Sequence, residues 1–128
     1  MASVSQEVEG RLASEPLVAY LATASDDRPH VAPVWFNYDD GVVEVVTTGR
    51  KLADVRANPR VSLAVGKDTG GDPEWAVTLR GTATVVDDPA ETAAANARIN
   101  RKYGAPEDAW SENVLVRIEV GSATLQTY

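Results

Sequence analysis

The chain has 128 residues, 44% of them apolar, and carries 19 Asp and Glu against 12 Lys and Arg, a formal net charge of −7. That size and balance fit one globular domain spanning residues 1–128, and the acidic surplus argues against a nucleic-acid partner, which would need a basic stripe. With no Cys and a single His, disulfides, thiolate nucleophiles and multi-His metal centres are excluded, and no metal site is expected. The stretch MASVSQEVEG has neither the basic nor the apolar part of a secretory signal, and no apolar run reaches the length of a membrane span. A cytoplasmic protein without a membrane partner is the expectation.

Val4, Val8 and Leu12 stand four apart, so residues 5–13 read as a short amphipathic helix closed by Pro16. LVAYLAT (17–23) reads as a buried strand, and SDDRP as a turn. HVAPVWFNY (30–38) reads as a second strand. Its Val34, Trp35, Phe36 and Tyr38 put bulk on both faces, which calls for a covering helix or a second subunit. Asp39–Gly41 makes a hairpin turn and Val42–Thr48 the return strand. Leu52–Ala57 reads as a short helix ended by Asn58-Pro59, Arg60–Gly66 as a strand, and Lys67–Glu74 as a flexible loop. From Trp75 to Val86, Trp75, Val77 and Leu79 alternate with Thr78, Arg80, Thr82 and Thr84. Asp88 as N-cap, Pro89 in the first turn and Glu91 open an Ala-rich helix that runs to about Tyr103, with Gly104 as its stop. Residues 113–128 return to strand. Strands in hairpin order predict a mainly β, antiparallel sheet closing into a small barrel with peripheral helices.

Within VVTTGRKLADVRANPRVSL, Arg50 and Lys51 fall where a strand passes into a helix. Cations at a helix N-terminus add to the positive end of its dipole, at a cost of about 0.3–1 kcal/mol each when exposed. A bound anion reverses that sign: free N–H groups, an Arg fork and the hydroxyls of Thr47 and Thr48 together suit a phosphate. The alternative is that both cations pair with Asp54 and neighbouring acids on a solvated face. The spacing is neither a Walker loop nor a dinucleotide fingerprint.

The runs RPHVAPVWF (28–36), TTGRKLADVRANPRVSL (47–63) and LRGTATVVDDP (79–89) stand in this order over nearly the whole chain, and together resemble the pyridoxamine 5′-phosphate oxidase-like, FMN-binding split-barrel proteins. The resemblance implies a split β-barrel homodimer with its cofactor between the subunits. It also implies that the phosphate end of FMN lies on Arg50 and Lys51, with Thr47 and Thr48 beside them. The flavin ring would lie along Val31, Ala32, Pro33 and Val34, and Trp75 would reach it from the partner chain. Relatives of this shape use either FMN or an 8-hydroxy-5-deazaflavin coenzyme, and both carry a phosphate. Where the true oxidases use an Arg and a Lys on the second strand, this chain has Ala32 and Asn37, and it ends ATLQTY without their basic segment. The resemblance therefore implies a flavin- or deazaflavin-dependent oxidoreductase acting on a small organic molecule, and not a vitamin B6 oxidase. The alternative is a non-catalytic flavin or tetrapyrrole carrier. No catalytic side chain is expected, because the cofactor supplies the redox chemistry. His30 reads as a turn or strand-edge residue that helps shape the flavin pocket, Trp35 as core or dimer seam with a cofactor contact as the alternative, Trp110 as a loop staple with a cap on the pocket as the alternative, and Arg80 as an outward-facing ion-pair residue.

Overall fold

A computed structural model describes residues 4–128; residues 1–3 of the expected domain lie outside it. The elements in chain order are α1 (Gln6–Leu12), β1 (Ala19–Ser25), β2 (Arg28–Val34), β3 (Asn37–Asp39), β4 (Val42–Thr47), α2 (Gly49–Ala57), β5 (Arg60–Thr69), β6 (Asp72–Val86), α3 (Pro89–Lys102) and β7 (Val114–Thr127). The seven strands form one antiparallel sheet in the order β2-β1-β5-β6-β7-β4-β3. Its two end strands, β2 and β3, are consecutive in the chain and joined only by Trp35 and Phe36, so the sheet must curl round on itself.

Three of the tight connections are two-residue hairpin turns with positive φ at both positions: Asp26-Asp27, Asp40-Gly41 and Gly70-Gly71. Such turns match the right-handed twist of the strands they join. The third replaces the expected flexible loop at 67–74. Because Gly70 and Gly71 accept φ of 57° and 92°, β5 and β6 extend through that segment and pair as far as Thr69 and Asp72.

The long strand expected over 30–38 is two strands. Val34 still pairs with Ala19 of β1, but Asn37 already pairs with Glu44 of β4. The bulk on both faces thus has two destinations. Phe36 is fully buried inside the barrel, while Trp35 turns outward and stacks on Tyr103 of α3, with ring centroids 4.6 Å apart and planes 5° from parallel. The crossing is held at its backbone as well. The Tyr103 hydroxyl donates to the Leu17 carbonyl (2.6 Å) and accepts from the Phe36 N–H (3.2 Å), and Lys102 Nζ donates to the Phe36 carbonyl (2.9 Å). Farther along α3, Arg98 grips the buried Glu44 carboxylate of β4 at 3.0 and 3.1 Å.

The helix starts follow the local chemistry. Ser5 accepts from the Val8 N–H, and Asp88 from the N–H groups of Ala90 and Glu91, so both α1 and α3 are capped, α3 by the residue the sequence indicated. The inner face of the sheet gathers Leu21, Val43, Val45, Val65, Val77 and Ile118 into one core, over which α1 lays Val8 and Leu12. Segment 17–23 is not buried on both sides. Its inner residues Ala19, Leu21 and Thr23 are covered, but Val18 and Tyr20 are exposed, as is Val31 across the ribbon on β2.

Gly81 marks the tightest approach of β6 to β7. A Cβ there would overlap the Glu119 carbonyl oxygen and come within 2.7 Å of the Ile118 side chain, whereas at Gly121, inside the adjoining bulge, the nearest atom is 3.5 Å away. Gly81→Ala should therefore destabilise the fold by about 2 kcal/mol, and Gly121→Ala by under about 0.5 kcal/mol, as read from urea unfolding midpoints.

Candidate functional site

The register defines where the sheet is split. Since β3 pairs only with residues 42–44 of β4, the rest of β4 runs back past the crossing, alongside the end of β2, without a strand between them. A groove of about 410 Å³ occupies this gap. Pro33, Val34 and Trp35 form one wall; Val46, Thr47 and Thr48 at the end of β4 form the other; Lys51 of α2 stands at one end, and Asn100, Trp110 and Asn113 close the α3 side. Apolar and aromatic surface thus meets a small polar end.

Gly49, at φ 69°, lets the chain pass straight from β4 into α2. The helix therefore begins three residues earlier than the sequence suggested, and Arg50 and Lys51 lie within its first turn. Thr48 takes the N-cap position without a side-chain cap bond, and the first turn has no acidic residue, in contrast to α1 and α3. The Thr47 hydroxyl donates to the Thr48 carbonyl at 3.3 Å. Lys51 is half-buried and has no hydrogen-bond or ion-pair partner among the described residues.

Arg50 is placed differently. It is not part of the groove wall; its Nε donates to Asp54 Oδ1 at 3.1 Å, one helical turn on. The pairing with Asp54 foreseen as an alternative thus forms for Arg50 and not for Lys51, and it does not lie on a solvated face. Asp54 is 1% exposed and also accepts from Ser25 Oγ (2.7 Å) and Thr23 Oγ1 (2.9 Å) of β1. The Ser25 hydroxyl bond, followed by those from Thr23 and Arg50, outweighs the opposing effect of burial and holds the Asp54 carboxyl below the usual carboxylate range.

Of the other residues named from the sequence, Val31 and Ala32 lie on β2 outside the groove, Val31 63% exposed. Trp75 is 4% exposed in the core, with the Arg11 guanidinium 5.5 Å over its ring, and does not line the groove. His30 pairs across from Thr23 on the β1–β2 ribbon, away from the groove. Arg80 is exposed on the outer face of β6 and has no ion-pair partner among the described residues.

For two tryptophans it is the alternative reading, cofactor contact for Trp35 and pocket cap for Trp110, that matches their place in the groove wall. Trp110 packs edge-on to Trp35 with centroids 5.5 Å apart, and its own backbone sits at φ 53°, unusual for a bulky residue. Asn96 and Asn100 of α3 hold the loop that carries it by donating to the Ala109 carbonyl at 2.8 and 3.0 Å. The signal available in the sequence was two Asn spaced i, i+4 on one helix face; their burial is apparent only in the fold. A larger hollow, about 520 Å³, between the start of α3 and this loop contains none of the cofactor-site residues named from the sequence. No helix among the described residues is long and apolar enough to cross a membrane.

An antiparallel sheet that curls round and stays open along one seam, with three short helices outside, is a split β-barrel. A sequence model described as pyridoxamine 5′-phosphate oxidase matches residues 4–124, and the chain belongs to that family. Among solved structures it is similar to an F420 reductase (27% identity, TM-score 0.75, 90% of this chain and 94% of that one). It also resembles in fold a FAD-binding protein from Mesorhizobium loti (23% identity, TM-score 0.75, 95% and 94%) and the heme storage protein HutZ from Vibrio cholerae (19% identity, TM-score 0.78, 95% and 93%). No curated protein matches the sequence.

Because the folded Asp54 pKa lies below the 3.8 of a free Asp side chain, its contribution to stability is complete above that value and is lost as the pH falls through the folded pKa. Asp54→Asn should unfold at lower urea than wild type at pH 7, and the gap should close on acidification below about pH 4.

Proposed function

We propose that the protein is a flavin- or deazaflavin-dependent oxidoreductase acting on a small organic molecule, and that it works as a homodimer with the cofactor in the groove at the subunit seam. The observation that carries this reading is the start of α2: a helix N-terminus without a side-chain cap, with two Thr hydroxyls and a Lys51 that has no partner among the described residues, opening onto a groove walled mainly by apolar and aromatic side chains, with Asn100 and Asn113 on the α3 side. Free helix N–H groups and an ammonium suit a phosphate, and the walls from Val34, Trp35 and Val46 suit a flat ring. FMN and the 8-hydroxy-5-deazaflavin coenzyme both combine these two parts, and the residues present fit either. When bound, such a group supplies the hydride transfer.

The chain's own contribution is binding and orientation. Lys51, Thr47, Thr48 and the first N–H groups of α2 hold the phosphate, with Arg50 adding charge beside them. Pro33 and Val34, continued by Val31 and Ala32 along the unpaired edge of β2, flank the ring. The similarity to an F420 reductase supports redox use of the groove. Homodimer formation is supported by the apolar outer face of the β1–β2 ribbon, where Val18, Tyr20 and Val31 are 41%, 53% and 63% exposed beside Pro33. In this reading a second protomer covers that face, and the protein works in the cytoplasm as one domain. Vitamin B6 oxidation is not proposed, since Ala32 and Asn37 stand where the oxidases use basic residues, and Asn37 is turned to Glu44 instead (3.4 Å).

Titration with FMN and with the deazaflavin coenzyme, followed by ligand fluorescence, tests the reading. One of the two should bind, and Lys51→Ala should weaken it about 10- to 100-fold, the loss of one charge-assisted contact. The double charge reversal Arg50→Glu, Lys51→Glu should abolish binding while leaving the circular dichroism spectrum intact. Undiminished binding by the double variant would overturn the reading, and an intense Soret band on adding haem, with no flavin bound, would favour the tetrapyrrole carrier.

A further inference from the structure

The Arg50–Asp54 pair has a feature that a surface ion pair lacks: the acid is held by other partners besides the base. Asp54 is 1% exposed, and its carboxylate is held from β1 by the Ser25 and Thr23 hydroxyls at 2.7 and 2.9 Å, whereas the Arg50 side chain is 51% exposed. The contact that Arg50 makes is through Nε, at 3.1 Å to Oδ1. Its terminal nitrogens have no partner among the described residues. A guanidinium tethered side-on through Nε keeps both of those nitrogens in one plane and directed away from the tether, the arrangement that meets two oxygens of a phosphate. An untethered Arg would have to lose all of its rotamer freedom on binding; the Nε bond to Asp54 restricts this one beforehand.

Resting on the phosphate-anchoring reading above, we infer that Asp54, with Ser25 and Thr23 behind it, is a positioning residue that orients the Arg50 fork for a phosphate group, and so sets the preference of the site for a phosphorylated over an unphosphorylated ring ligand. Asp54 does not touch the ligand. It acts through Arg50, and β1 supplies the support for a group carried in the first turn of a short helix. The arrangement also accounts for a buried carboxylate beside a site for an anion. With two hydroxyls and a cation on it, its charge is matched locally, and Lys51 and the helix N-terminus remain to oppose the phosphate.

The test is the ratio of dissociation constants for riboflavin and FMN, measured for wild type, Asp54→Ala, Asp54→Asn and Ser25→Ala; the same ratio is taken for the deazaflavin coenzyme and its phosphate-free ring-ribityl core. A residue that only pins α2 to β1 would change both members of a pair together. The positioning role predicts that Asp54→Ala lowers the preference for the phosphorylated member about tenfold with the unphosphorylated one unchanged. Asp54→Asn, whose amide oxygen still accepts from Nε, should keep most of the preference. Should Asp54→Ala fail to fold, Ser25→Ala, which loosens the carboxylate from a half-buried position, should lower the ratio about threefold. An unchanged ratio in the folded Asp54→Ala variant, or in Ser25→Ala, overturns the positioning role. If wild type prefers neither phosphorylated ligand, the phosphate-anchoring reading falls, and this inference falls with it.

Discussion

The constraint on which the rest of this molecule depends is the two-residue crossing at Trp35 and Phe36. β2 and β3 lie at opposite ends of a seven-stranded order, yet they are adjacent in the chain, so the ends must be brought together. A link this short leaves no slack, and the sheet cannot flatten. What secures it is a division of labour between neighbouring side chains: Phe36 fills the inside, Trp35 stacks outside on Tyr103, and Tyr103 and Lys102 satisfy the backbone polar groups that neither strand pairs. The groove is the geometric remainder of that closure. β4 outruns β3, and the space beside it at the end of β2 stays open.

Electrostatics then give the open seam a direction. The chain as a whole is acidic, and a capped helix with acids in its first turn is the local norm, as α1 and α3 demonstrate. α2 departs from it on each count, and does so where strand β4 delivers it to the mouth of the groove. The two cations of its first turn are not equivalent. Lys51 lines the groove with no partner among the described residues, whereas Arg50 is held by a carboxylate that hydroxyls of β1 fix in place. A reading based on charge alone treats them as a pair; the fold gives them separate surroundings.

How much of this was legible in the sequence follows from whether the determining chemistry is local. The start of α3 was, because Asp88, Pro89 and Glu91 encode it within four residues. So was the inward set of Trp75, Val77 and Leu79, since alternation survives in any sheet with a covered face. The break after Val34 was not: Val34, Trp35, Phe36 and Asn37 contain no Gly or Pro, and the reversal of faces is imposed by Tyr103, nearly seventy positions away. The Gly70-Gly71 hairpin was legible in principle, but the surrounding polar residues masked the turn as a loop. Within the site, Thr47, Thr48 and Lys51, read from the charge at a helix start, and Pro33 and Val34, from the family resemblance, do converge on the groove; Arg50, from the same charge argument, and Val31, Ala32 and Trp75, from the resemblance, lie outside its wall. The burial of Asp54 could not be read, because its partners Thr23 and Ser25 are carboxylate donors only by virtue of a tertiary contact.

The last strand in sequence is an interior one in space: β7 lies between β6 and β4 and is paired on both edges, from Trp75↔Thr127 to Thr47↔Val114. During synthesis every other strand leaves the ribosome before it. Until it arrives, β4 has no connection to β6, and both present unsatisfied edges of the kind that recruit stray chains into aggregates. Closure of this barrel therefore waits on β7, and the interval before it pairs is the one in which the open edges of β4 and β6 can find other company.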